Sequence, residues 1–270
     1  MLGALAVVAA ALALFVWLKP PKTQGPAIAL SSSKSAEAKS IKVEREGKPL
    51  ATLQKQGALW QLTAPLKAPA DDFQVARLLA VLEAKSAASY APDLAKFELE
   101  APRAVLEIDG ERYVFGAVNT VTREQYVLTR GTVYAVDARF GAAVPAAAAA
   151  LARRTLFAPG DAPVKFEMGA FSIAQDAMKW TITPATELSQ DNTNRWVAQW
   201  REGSALRAEP ADAQPAQREL AFTLKDGTRV AVGVVASDPE LVLRRADIGL
   251  QFVYAGDIGR QMLAPPPLQK

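Results

Sequence analysis

The sequence predicts an α+β protein: two similar repeated units of antiparallel strands and hairpins with helices on one face, preceded by an N-terminal transmembrane helix. Three observations carry that expectation. An uncharged apolar run opens the chain over residues 2–18. Four short motifs recur in the same order across more than half of the remaining sequence. Each copy reads as strands, a helix, a hairpin and a closing pair of strands.

Composition sets the outer bounds. The 270 residues are 50% hydrophobic and 22% charged, enough apolar content for a substantial core. The chain has no cysteine and no histidine. Disulfides, thiol catalysis, a Ser-His-Asp triad and ordinary zinc or haem ligation are therefore excluded, and neither a catalytic set nor a metal or cofactor is expected. The net charge is +3, with basic residues scattered and paired only at places such as Arg153-Arg154 and Arg244-Arg245. A nucleic-acid partner calls for a concentrated basic strip, so none is expected.

The first element is the anchor. Residues 2–18, from Leu2 to Leu18, carry no charge, and Lys19-Pro20-Pro21-Lys22 stops the run. At about 1.5 Å per residue this stretch spans roughly 25 Å, inside the range of spanning helices. Trp17 stands where an interfacial aromatic belongs. A cleaved signal peptide competes with this reading, but Ala27-Ile28-Ala29 lies far beyond the apolar run and Ala11-Leu12-Ala13 lies within it. An uncleaved single-pass anchor, marked by Leu2, Trp17 and Leu18, fits better. Read literally, the positive-inside rule puts the Lys19 side in the cytoplasm. Residues 19–40, rich in Pro, Ser, Lys and Ala, read as a flexible tether, and the proline-rich residues 264–270 as a tail. The expected organisation is an anchor over 1–18, a tether over 19–40, a first unit over 41–157, a second, degenerate unit over 158–263 and a tail over 264–270.

The repeat links the units. Ile41-Lys42-Val43-Glu44 is answered by Val164-Lys165-Phe166-Glu167, Trp60-Gln61-Leu62-Thr63 by Trp180-Thr181-Ile182-Thr183, Asp109-Gly110 by Asp226-Gly227, and Val133-Tyr134-Ala135 by Val253-Tyr254-Ala255. The offsets are 123, 120, 117 and 120. One such pair arises easily by chance; four kept in order do not.

Within each copy three strands come first, expected over 41–46, 50–56 and 58–63, then 164–168, 170–175 and 178–183, separated by glycines or polar turn residues. A helix follows. Asp71 or Asp72 is the natural N-cap for Val75, Leu78, Leu79 and Leu82; in the second copy Asp191 and Asn192 precede Trp196 and Trp200, one turn apart. Hairpins form around Asp109-Gly110 and Asp226-Gly227, both with type I′ chemistry. Two more strands end at Tyr134 and Tyr254, before helices expected over 146–151 and 258–263.

The first copy resembles the bacterial domain-of-unknown-function 4340 family of membrane-anchored proteins. The residues that carry the resemblance are the Trp60 to Pro65 strand, the Asp-led helix over 71–82, the Asp-Leu-x-x-Phe-x-Leu-x-x-Pro segment over 93–102, Gly116, Tyr126-Val127 and Val133-Tyr134. Glu98 stands where the family usually has glycine. The resemblance covers residues 41–157 well and the rest weakly. It implies a tethered extracytoplasmic domain, found with ABC-type export or gliding-motility components, and no activity. It also implies a body on the periplasmic side, against the literal charge count.

Chemical motifs have structural readings beside them. Ser31 and Lys34 have the Ser-x-x-Lys spacing of lysine-assisted serine enzymes, but lie in the expected tether without companion motifs. The carboxylate pairs Asp71-Asp72, Asp109 with Glu111, and Glu44 with Glu46 suit glycan acid–base work or, more simply, caps, turns and a solvated strand. Asp191-Asn192-Thr193-Asn194 lacks the glycine and distal glutamate of a calcium loop. Trp60 and Trp180 read as core anchors. Trp196 and Trp200 read as core or, if exposed, as a partner surface.

The expected function is a noncatalytic membrane-anchored periplasmic interaction or scaffold module. Its expected partners are the inner membrane, through the N-terminal helix, and proteins of an envelope or ABC-type transporter complex. The alternative is a periplasmic carboxylate-based hydrolase or glycan-binding protein.

Overall fold

The computed structural model describes residues 27–267 except 178 and 188. The expected anchor, with Leu2, Trp17 and Leu18, lies outside the described residues. Among the described residues no helix is long and apolar enough to cross a membrane.

A short strand, β1 (Ile28–Ala29), leads into the first unit. That unit contains β2 (Ser40–Arg45), β3 (Lys48–Gln56), β4 (Leu59–Ala64), β5 (Ala68–Pro69), α1 (Asp72–Leu79), β6 (Lys85–Ser86), β7 (Ser89–Tyr90), β8 (Ala104–Ile108), β9 (Glu111–Val118), β10 (Glu124–Thr129), β11 (Thr132–Asp137) and α2 (Arg139–Ala142). The second contains β12 (Pro163–Glu167), β13 (Ser172–Asp176), β14 (Lys179–Thr183), α3 (Gln190–Glu202), β15 (Arg207–Pro210), β16 (Arg218–Leu224), β17 (Arg229–Ala236), β18 (Leu241–Arg245), β19 (Leu250–Tyr254) and α4 (Gly256–Leu263).

The two main sheets are antiparallel and built alike. Their orders are β5-β4-β3-β2-β8-β9-β10-β11-β7 and β14-β13-β12-β16-β17-β18-β19-β15. Apart from β5, each strand of the first sheet has its counterpart at the same place in the second. The repeat seen in the motifs is therefore a repeat of topology. Strand alternation explains the pattern: along β14, Trp180 and Ile182 turn inward while Lys179, Thr181 and Thr183 face out. Inward residues of both sheets, with Val75 and Leu78 of α1 and Trp196 and Trp200 of α3, belong to one continuous apolar core.

An ordered strap joins the units. Leu151 O accepts from Asp71 N at 2.8 Å, Ala152 bridges Ala70, and Arg153 N donates to Pro69 O at 2.9 Å. The next residues turn to the second unit: Arg154 O accepts from Ala205 N at 2.8 Å, and Thr155 bridges Ser204. The strap thus acts as a strand for one unit and then the other.

Several expectations change. Residues 28–40 are packed on the body: Leu30 is fully buried, β1 pairs with β6, and Lys39 N and Ser40 N donate to the Asp109 carboxylate. The tail is held too, since Pro267 O accepts from Asn192 Nδ2 at 2.9 Å. The alanine run forms only a 3₁₀ turn, Ala148–Leu151, and the helix of that region is the shorter α2. Pro145 precedes the run, and no amphipathic stripe supports a longer helix there. Asp71 caps α1, accepting from Phe73 N and Gln74 N at 3.0 Å, whereas α3 begins earlier than expected, capped by Ser189. The hairpins also differ. Asp109 and Gly110 both take positive φ, as a type I′ turn requires. Around Asp226 only Gly227 does; Gly227 N bonds Leu224 O and Leu224 N bonds Thr228 O, which makes a three-residue loop.

Candidate interaction surface

The chemical motifs resolve into structural contacts. Ser31 Oγ donates to Glu111 at 3.0 Å, while the Lys34 ammonium, 79% exposed, reaches toward Glu37. Ser31 thus fastens the N-terminal segment, helped by Arg130, which donates to Leu30 O and pairs with Glu111. Asp72 pairs with Arg153 and Glu44 with Arg112, and Asp109 holds the backbone at residues 39 and 40. In the Asp191–Asn194 stretch, Asn194 Oδ1 accepts from the Trp180 indole at 2.9 Å. Among the described residues no group of three acidic side chains gathers as a metal site.

Trp196 and Trp200 face inward. Trp200 is 0% exposed and Trp196 6% exposed, and their indole N–H groups donate to Met262 O and Ala264 O. Helical spacing puts both on one face of α3, but that face packs on the sheet, with Phe166 5.1 Å from Trp196 and Phe222 5.1 Å from Trp200. They are core residues, not the partner surface held open for them.

A different aromatic group reaches solvent. On the outer face of the first sheet Tyr90, Phe97 and Tyr126 meet with ring centroids 4.6 to 6.0 Å apart. Tyr90 is 40% exposed and Leu94, in the segment that carries Phe97, is 44% exposed. Tyr90 comes from the edge strand β7, Tyr126 from β10, and Phe97 from residues 93–102, which cross over the outside of the sheet. Phe97 and Leu99 pack there on Val133, with Val114, Tyr126 and Leu128 around them. Lys96 lies 5.4 Å from the Phe97 ring.

The second unit supplies an internal comparison. Val133 pairs with Tyr90, and its repeat partner Val253 pairs with Arg207. Tyr134 pairs with Val127 and Tyr254 with Leu241, so the preceding residues, Tyr126 and Glu240, correspond. The aromatic pair of the first unit is thus an ion pair in the second: Arg207 contacts Glu240 at 2.9 Å and is also bonded to Glu209. That guanidinium holds the Glu240 carboxyl below the usual carboxylate range. One face is aromatic and partly open; its counterpart carries an exposed ion pair. Tyr90 carries no motif, and only the strand register brings it to Tyr126.

The crossing segment depends on two backbone positions. Gly116 of β9 lies against it so closely that a Cβ there would sit 2.2 Å from Phe97 O, which itself accepts from Ala117 N at 2.9 Å. Glu98, standing where glycine is usual in the resembling family, takes φ +52°. The turn keeps a left-handed geometry despite a side chain that disfavours it. Glu98→Gly is expected to stabilise the protein by about 0.5 kcal/mol, because relief of roughly 1–2 kcal/mol of left-handed cost exceeds the added chain entropy of glycine; a urea midpoint that falls contradicts this.

The family model described as a domain of unknown function (DUF4340) matches residues 60–221, more than half of the chain. The chain belongs to the DUF4340 family. The DUF4340 match begins in β4 and ends in β16, so it reaches into the second unit, beyond the first copy that the motifs resembled best. It includes both Tyr90 and Tyr126 of the aromatic face and Arg207 of the second unit. No curated protein and no solved structure matches this DUF4340 chain.

Proposed function

We propose that this DUF4340 protein is a noncatalytic, membrane-anchored interaction or scaffold module. Its body lies on the periplasmic side of a bacterial inner membrane, and it serves as an accessory subunit of an ABC-type transporter or envelope complex. The observation that carries the interaction role is the Tyr90–Phe97–Tyr126 cluster, partly exposed where the duplicated unit has the Arg207–Glu240 pair. Tyrosine offers a large contact area with little loss of conformational freedom, which suits a binding surface. The apolar run over residues 2–18 supports the anchor.

A carboxylate hydrolase calls for a carboxyl group raised above its ordinary range, to act as acid. The carboxylates that shift among the described residues, Glu167, Asp226, Glu240 and Asp247, all go down, held by Lys165, the Thr228 backbone, Arg207 and Arg245 respectively. Each of these four is held by a structural partner.

Alkaline phosphatase fused after residue 40 tests the placement. It is expected to be active, with a cytoplasm-dependent reporter silent at the same point; the reverse pattern overturns the periplasmic assignment.

A further inference from the structure

Three exposed apolar residues of the first unit line the edge where the chain enters it. β1 runs antiparallel to β6, with Ile28 opposite Ser86 and Ala29 opposite Lys85. β6 and β7 follow β11 in turn: Ser86 Oγ lies 2.7 Å from Ala135 O, Ser89 pairs with Tyr134 and Tyr90 with Val133. The N-terminal end of β1 therefore points to Tyr90, four residues beyond Ser86 and about 13 Å away at strand spacing. Ile28 is 38% exposed, Tyr90 40% and Leu94 44%. Leu94 sits in the turn that carries Phe97: its carbonyl accepts from Leu99 N at 2.8 Å, and the Phe97 ring lies 5.6 Å from that of Tyr90. The entering segment is fixed at this edge, since Leu30 is fully buried and Arg130 donates to its carbonyl.

We propose that this edge rests on the lipid bilayer that holds the anchor, with Ile28, Tyr90 and Leu94 at the boundary between headgroups and acyl chains. The inference rests on the membrane-anchored reading of the function. Leu18, the last residue of the apolar run, precedes Ile28 by ten residues, a span of at most about 35 Å fully extended. Of the surfaces that could cover the edge, the chain itself brings only the bilayer within that reach. A tether this short gives an effective concentration of about millimolar, so a small patch suffices. Tyrosine suits a boundary with one wet side and one apolar side. Exposed Lys85 and Lys96 flank the edge, while Asp93, Glu98 and Glu100 lie on the crossing segment. With both signs present, the contact is apolar and does not depend on lipid charge. The equivalent edge of the second unit, which receives no segment from the apolar run, carries the Arg207–Glu240 ion pair in place of the two tyrosines. Tyr126, farther from the edge on β10, is left for the protein partner.

The chain has no cysteine, so a single introduced one takes a single label. Leu94→Cys and Leu206→Cys, each carrying bimane in the full chain, are placed in phosphatidylcholine nanodiscs with an acyl-chain nitroxide lipid as quencher. Leu206, one residue before Arg207 at the equivalent edge of the second unit, is the more exposed at 55%. Quenching at position 94 is expected to be at least about threefold that at position 206, because an interfacial apolar contact lies about 5–10 Å into the headgroup boundary. Replacing part of the phosphatidylcholine by phosphatidylglycerol should leave the ratio unchanged. Ile28→Asp, at an exposed position whose backbone pairing is kept, is expected to lower the quenching at position 94 by at least about half. Equal quenching at the two positions, a contrast that needs phosphatidylglycerol, or no change on Ile28→Asp overturns the proposal. Protection of position 94 from a water-soluble quencher in native membranes, without lipid quenching in nanodiscs, overturns it in favour of a protein cover. Size-exclusion chromatography separates the two readings: a chain that leaves the nanodisc overturns the anchor as well, whereas a retained chain without the quenching contrast overturns only this inference.

Discussion

Trp200→Ala is expected to destabilise the protein by about 4 kcal/mol, the cost typical of removing a large aromatic from a core. Trp200 is the largest fully buried side chain of the described residues, with Trp196 5.9 Å and Phe222 5.1 Å away between ring centroids. Its indole N–H also ties α3 to α4 through Met262 O at 3.2 Å. Alanine leaves a cavity between helix and sheet and frees that carbonyl. Because the core runs continuously through both units, the loss should be felt by the whole chain rather than by α3 alone. Trp200→Phe, which keeps most of the volume and loses the hydrogen bond, should cost about 1–2 kcal/mol. Urea titration reads both. A Trp200→Ala midpoint within error of the parent would mean that the α3 face is not core.

Gly116→Ala is expected to cost about 2–4 kcal/mol, far more than a surface glycine replacement. The added carbon meets the Phe97 carbonyl at 2.2 Å and the Leu99 side chain at 2.9 Å, and a backbone oxygen has nowhere to go without moving residues 93–102. Overpacking of about 1–3 kcal/mol adds to the loss of the bond from Ala117 N to Phe97 O, about 1 kcal/mol. The effect should also be local. Trypsin is expected to cut at Lys96 faster in the variant, because the displaced segment no longer holds Phe97 against Tyr126 and Val133. Unchanged stability together with unchanged cleavage contradicts the packing described for this segment.

The repeat was legible because it is written in residues that pack. Trp60 and Trp180 are equally buried on corresponding strands, and Tyr134 and Tyr254 are buried on corresponding strands one in from the edge. Strand and hairpin positions followed from alternation and from Asp-Gly turns. Long-range pairing was not legible. The edge strand Ser89–Tyr90 is two residues long and has no periodicity to detect, yet it brings one side of the aromatic face into place. Leu30 looked like part of a tether because nothing near it in sequence tells of Arg130 and Glu111, which hold that segment from a distance. The direction of Trp196 and Trp200 was open for a related reason: spacing places two residues on one face of a helix, and only the sheet decides where that face points. The aromatic-to-ionic exchange was hidden by hairpin length. Tyr126 and Glu240 are 114 residues apart, against 120 for Tyr134 and Tyr254, since the β18–β19 hairpin is six residues longer, two in the connection and two on each strand.

The most direct test makes the first unit copy the second. The double variant Tyr90→Arg, Tyr126→Glu places the Arg207–Glu240 arrangement on the face proposed for partner binding, in a sheet of the same order. Both tyrosines pack on the buried Phe97, so the exchange should cost about 0.5–3 kcal/mol, and the comparison is made on the folded variant. Purified from native membranes by gentle solubilisation, the parent is expected to carry a stoichiometric protein partner and the folded double variant to have lost it. Retention of the partner by the variant, or a parent that is monomeric and partnerless, contradicts the account.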